Sequence, residues 1–110
     1  MSHYFHSDHL QRFTEIAEGG QELADKFFAY YASVFQDGAL TAREKALIAL
    51  AVSHAIQCPY CIEAYSQASQ EQGADLDQMT EAVHVACAIR GGASLVYGLQ
   101  MMDHVRKAGM

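Results

Sequence analysis

With 110 residues, a formal net charge of −6 and a hydrophobic fraction of 51%, the chain has the size and composition of one ordinary domain spanning residues 1–110. The negative balance disfavours nucleic acid and anionic membranes as partners, and three cysteines do not make the even-numbered framework of a secreted disulfide scaffold. Residues 1–9 are polar and aromatic rather than signal-like, and the longest apolar run is too short for a bilayer and contains His54, so the expected compartment is cytoplasmic and reducing.

Alternating strand patterns are absent and glycines punctuate helical ones, so the chain reads as all-α. Ser7 or Asp8 is placed to cap a first helix that stops at Gly19-Gly20. A second helix runs to about Gln36, with Leu23, Phe27, Tyr30, Tyr31 and Val34 on one apolar stripe. Thr41-Ala42-Arg43-Glu44 is a capping-box sequence that opens a third helix to about Gln57. Between residues 46 and 56 that helix is apolar on every side, which predicts that other helices surround it, in a domain or an oligomer. Pro59 is a favoured first helical residue and opens a fourth helix ending at Gly73. Asp75 and Gln78 cap a fifth, whose apolar face of Met79, Val83 and Ala86 also carries Arg90, expected to meet a carboxylate. Gly91-Gly92 is expected to kink or end it, with a sixth helix to about Lys107. The apolar and aromatic content exceeds what 110 residues bury, which predicts a homo-oligomer.

Cys58-Pro59-Tyr60-Cys61 names a chemistry most directly. With Pro59 at the first helical position, Cys58 is the N-cap and both sulfurs lie in the first turn. There, unpaired N–H groups and the helix dipole favour a thiolate. Such a pair switches between dithiol and disulfide: one sulfur attacks a peroxide or disulfide and the other resolves the intermediate. Two other readings exist, a half zinc site and plain core cysteines. Structural zinc needs four ligands, and only His54 and His84 are available to complete a Cys2His2 set, so neither metal nor cofactor is expected. His54, one turn before Cys58, is either a proton-transfer base or a core histidine bonded to a carbonyl. Glu44 stands ~21 Å from Cys58 along a straight helix, at ~1.5 Å per residue, and is read as mainly structural. His84 either borders the pair or faces solvent, and Cys87, between two alanines, reads as inert core. His3, His6 and His9 share one helical face but sit where chains fray, and are read as incidental.

The stretch 40–65, with its capping box, His54 and the cysteine pair, resembles the carboxymuconolactone decarboxylase/AhpD-like superfamily, and Glu81-Ala82-Val83-His84-Val85-Ala86 extends the match. The resemblance implies an AhpD-like helical bundle of about six helices, assembled as a trimer or hexamer. It also implies alkylhydroperoxidase or disulfide-reductase activity through the two cysteines, on a small peroxide or disulfide and with a separate reducing partner. By that resemblance Cys61 attacks and Cys58 resolves. The positions of the proton-relay glutamate and histidine hold Ala46 and Tyr65 here, so that His54, with Glu44 or Tyr65, has to substitute. Together with Ala88-Ile89-Arg90-Gly91-Gly92-Ala93-Ser94-Leu95-Val96, the same residues resemble more narrowly the peroxidase-like proteins associated with arsenosugar biosynthesis. The alternatives are a dithiol protein that holds a soft metal or arsenite without turnover, and a lyase of the decarboxylase branch. That branch lacks the redox-active pair, which argues against it. A scaffold for a partner enzyme, using the helices for assembly only, is a third reading.

Overall fold

Every regular element of the computed structural model, which describes residues 6–109, is helical. The order is α1 (Ser7–Gln11), a 3-10 segment (Phe13–Gly19), α2 (Gln21–Val34), α3 (Ala42–Ala55), α4 (Pro59–Glu71) and α5 (Leu76–Lys107). The all-α expectation and its six helical segments hold.

Local chemistry accounts for most boundaries. Thr41 Oγ1 accepts the Glu44 N–H at 3.1 Å while Glu44 Oε1 accepts the Thr41 N–H at 2.8 Å, the reciprocal pair that starts α3. Asp75 and Gln78 start α5 the same way, at 2.8 and 3.0 Å. Both inter-helix turns near the site are Schellman motifs. After α4, Ala74 N–H reaches Ser69 O and Gly73 N–H reaches Gln70 O, each at 2.9 Å, with Gly73 at φ 84°. After α3, Cys58 N–H reaches Ser53 O at 3.0 Å and Gln57 N–H reaches His54 O at 3.2 Å. Gln57 takes the left-handed position at φ 56°, unusual without glycine, and this turn delivers Cys58 to the start of α4.

In the core α3 packs against α4 and α5. Its buried residues are Ala46, Leu50 (1% exposed) and Ser53, and the neighbours bury small groups too, Ser69 on α4 and Ala86 on α5. Small side chains let these three helices approach closely. The opposite face of α3 is open, with Ile48, Val52 and Ile56 exposed, so the single chain wraps only part of this apolar helix. α2 lies on the 3-10 segment and joins α4 through a run of aromatic contacts. Phe27, Tyr31 and Phe35 follow one another along α2, and Phe35 stacks on Tyr65 with ring centres 5.2 Å apart.

Several expectations are corrected. The first helix breaks after Gln11 into a 3-10 segment, and its N-cap is His6, without a side-chain cap bond. The α2 stripe is not core: Leu23 is 77% exposed, and Phe27, Tyr30 and Val34 are exposed too. Gly91 and Gly92 neither break nor end α5, which runs 32 residues. A mid-helix glycine costs ~1 kcal/mol but stops nothing unless it adopts a left-handed turn, and the glycines with positive φ are Gly73 and Gly109. Among the described residues Arg90 meets no carboxylate; its Nη1 donates to the Ala55 carbonyl at 3.0 Å, placing a cation at the C-terminal end of α3. Cys87 is exposed, not core.

The continuous α5 projects from the bundle. The chain has a radius of gyration of 18.9 Å, where a compact chain of this length has about 13 Å. Beyond Arg90 the helix keeps Leu95 (81% exposed), Val96, Tyr97, Leu99, Met101 and Val105 in the open. By length and composition α5 also satisfies the requirements of a membrane span, with a mean hydropathy of 1.3 over its most apolar stretch.

Candidate active site: a dithiol at the start of a helix

The turn at Gln57 and the proline at position 59 fix Cys58 as the N-cap of α4, as the sequence predicts. Cys58 Sγ accepts the Cys61 N–H at 3.3 Å, in place of the usual hydroxyl or carboxylate oxygen. The two sulfurs are 2.6 Å apart and both thiols are free and half-buried. A disulfide can therefore close without moving the backbone.

The two sulfurs face a cavity of about 370 Å³. Tyr31 from α2 and Tyr60, Ala64 and Tyr65 from α4 line it with the cysteines, and the N-terminal arm closes one side with His9, Leu10 and Phe13. Tyr31 and Tyr65 also line a second cavity of about 280 Å³, which reaches Ala46 and Phe35. The arm is tied down at Tyr60. The hydroxyl of Tyr60 accepts the His6 N–H at 3.2 Å and lies 3.2 Å from His9 Nδ1.

Cys61 holds its proton tightly. Burial pushes its thiol from an ordinary 9.0 up to about 11, reinforced by the hydrogen bond to Cys58 and by negative charge there. At this sulfur burial outweighs the thiolate-favouring first turn, and a second charge 2.6 Å from the first has little to stabilise it. Tyr31 is likewise raised, by burial first and then by the charges of Cys61 and Cys58, so its hydroxyl remains a donor facing the sulfurs. A raised folded-state value means that the native protein binds this proton more tightly than the unfolded chain. The stability it confers is complete below the unfolded thiol value and is lost as pH climbs from 9.0 through about 11. Reduced protein is thus expected to lose more melting temperature between pH 8 and pH 11 than protein oxidised at Cys58 and Cys61, which has no such proton. Parallel melting curves for the two forms check this, and equal losses refute it.

Of the residues singled out from sequence, the fold brings Cys58, Cys61 and Tyr65 to one cavity. His54 is not on that lining, and its Nδ1 lies 2.8 Å from the Leu50 carbonyl, one turn back on α3. A carbonyl only accepts, so this nitrogen carries the proton, which is the core-histidine arrangement. Glu44 sits in its capping box, its carboxyl held below the usual range by the Thr41 backbone and side-chain hydrogen bonds. His84 is exposed on α5. Among the described residues no three His, Cys, Asp or Glu side chains converge as metal ligands, so His54 and His84 do not complete a site with the cysteines. His3 lies outside the described residues.

Three polar cavity residues were not singled out for the site: His9, Tyr31 and Tyr60. Tyr60 had a signal, its place inside the cysteine motif. His9 and Tyr31 had none, because only tertiary packing carries the arm and α2 to α4.

The helical arrangement and the cysteine pair define a carboxymuconolactone decarboxylase-type domain. The family model for the carboxymuconolactone decarboxylase family matches residues 21–104, and the chain belongs to that family. It is 39% identical over 94 residues to uncharacterized protein 4 in the cox locus of Paracoccus denitrificans, spanning 83% of this chain and 85% of that protein. A crystal structure of a protein from Methanobacterium thermoautotrophicum superposes with a TM-score of 0.74 at 31% identity, over 78% of this chain and 97% of that one. That of an apo carboxymuconolactone decarboxylase family protein from Legionella pneumophila gives 0.69 at 32% identity, over 82% and 80%.

Proposed function

We propose that this protein is a dithiol oxidoreductase, a peroxidase or disulfide reductase, in which Cys58 and Cys61 cycle between dithiol and disulfide. The observation that carries the reading is the pair itself: two free sulfurs 2.6 Å apart at a helix N-terminus, opening on a cavity large enough for a small organic substrate. The Cys61 N–H donates to the Cys58 sulfur at the start of α4, an arrangement that favours negative charge on that sulfur. Cys58 therefore attacks and Cys61 resolves, the reverse of the order that the family resemblance implies. A peroxide oxygen is reduced to alcohol and water. An external dithiol then restores the pair, which suits a reducing, cytoplasmic setting.

The lyase alternative finds less support. A carboxylated lactone calls for cationic partners, and among the described residues the cavity lining contains no lysine or arginine. The protein acts as a homo-oligomer, in which further copies cover the open faces of α3 and α5. A bilayer is the poorer cover, because Arg90 stands midway along α5, where a charge is most costly in hydrocarbon.

The test is a thiol count with intact mass, before and after one equivalent of an alkyl hydroperoxide or of a small disulfide. The expected result is the loss of two thiols per chain, from Cys58 and Cys61, reversed by a dithiol. If the free-thiol count is unchanged by either oxidant, the reading is wrong.

A further inference from the structure

The cavity holds a group that nothing above employs. Attack on a hydroperoxide expels an alkoxide, a poor leaving group unless it receives a proton as the O–O bond breaks. Among the described residues the lining has no carboxylic acid and no lysine, and no hydrogen bond links Tyr31 to a group that could return a proton to it. Imidazole is the side chain that exchanges protons readily near neutral pH, and among the described residues the imidazole on this lining is His9. His54 is not on the lining, and its Nδ1 is engaged by Leu50.

The geometry points to His9 and Tyr60 as the proton-delivery pair of the dithiol site, a role for the N-terminal arm that rests on the oxidoreductase reading above. His9 Nδ1 is 3.2 Å from the Tyr60 hydroxyl, and the His6 N–H holds that oxygen at 3.2 Å. Tyr60 itself sits between the two cysteines in sequence and on the cavity wall with them. Cys58 first gives its thiol proton to water, a step that both kinds of oxidant require. The Cys58 sulfur then attacks the outer peroxide oxygen: an S–O bond forms, the O–O bond breaks, sulfur loses two electrons and the peroxide is reduced. The departing alkoxide takes the Tyr60 hydroxyl proton, and His9 replaces it. The Cys61 thiol then displaces the oxygen from the Cys58 sulfenic acid, forming the disulfide and releasing water with the Cys61 proton. Atoms and charge balance: the proton that Cys58 gives to water equals the one that His9 takes back from water. Tyr60 is the catalytic residue of the pair and His9 the positioning residue behind it.

The test exploits leaving-group dependence. Reduced wild type, His9→Ala and Tyr60→Phe are mixed with tert-butyl hydroperoxide, which expels an alkoxide, or with peracetic acid, which expels a carboxylate that needs no proton. Thiol loss is followed over a single turnover. Both variants are expected to slow the hydroperoxide reaction about 100-fold while changing the peracid reaction by less than about threefold. Added imidazole should recover about tenfold of the hydroperoxide rate in His9→Ala, but none in Tyr60→Phe. Equal slowing with both oxidants would show a merely structural arm, and unchanged rates would show an uninvolved one; either overturns the assignment. A wild type that neither oxidant touches sinks the oxidoreductase reading itself, and this assignment with it.

Discussion

Cys58→Ser is expected to abolish the reaction with hydroperoxide, lowering the rate of peroxide consumption by at least about 10³-fold, whereas Cys61→Ser should still complete one oxidation. The reason is the unequal hold on protons within the pair. Cys61 is raised to about 11 by burial and by its hydrogen bond and charge interaction with Cys58, so near neutral pH it is a thiol and not a nucleophile. Cys58 is the helix N-cap, and the Cys61 backbone N–H points at its sulfur. Removing Cys61 leaves that nucleophile in place but takes away the resolving thiol. The product should be a stable sulfenic acid on Cys58, trapped by dimedone, with no disulfide. Removing Cys58 removes the nucleophile and leaves only the reluctant thiol. If instead Cys58→Ser forms the dimedone adduct at the wild-type rate and Cys61→Ser forms none, the attack belongs to Cys61, as the family resemblance implies.

The second large effect is expected on α5. Changing both Leu95 and Leu99 to Asp should convert a multi-copy assembly into single chains and lower helicity, as read by sedimentation and circular dichroism. Half of this 32-residue helix lies beyond Arg90, with its apolar side chains in the open. An isolated helix of that length is marginal in water, and one apolar on all sides requires cover. Full burial of a leucine contributes about 1.5–3 kcal/mol. Two lost per subunit, with carboxylates put in their place, correspond to about a 10²–10⁴-fold weaker association, at ~1.4 kcal/mol per tenfold. A wild type that sediments as one chain, with α5 intact, would show that this helix needs no partner copy. Retention of the wild-type assembly by the double variant would move the interface to another face, such as Ile48, Val52 and Ile56 of α3.

The two capping boxes belong to the local sequence and are present as read, because each is a contact between residues three apart. Cys58 at the N-cap with Pro59 behind it is of the same kind. So is the stop at Gly73, where only a residue tolerant of positive φ closes the turn. The turn at Gln57 escaped notice because glutamine carries no such signal, yet it adopts the same geometry under the demand of the α3–α4 packing. Gly91 and Gly92 misled in the opposite sense. Glycine weakens a helix, but a helix continues through it when no cap or left-handed turn competes.

By itself, then, the sequence determined the elements that close over a few residues, the all-helical class and the dithiol. What sits around the dithiol was decided by tertiary structure. His9 and Tyr60 are 51 positions apart and meet only because α1 lies on α4. Tyr31 reads as one more stripe residue until α2 turns it toward the sulfurs. His54 is the converse case: close in sequence to the cysteines, it is not on the cavity lining, and the Leu50 carbonyl of its own helix engages its Nδ1. A sequence encodes its i, i+3 and i, i+4 neighbours through backbone geometry. Contacts over greater separations exist only once burial has brought the helices together, and the groups available for proton transfer here are of that second kind.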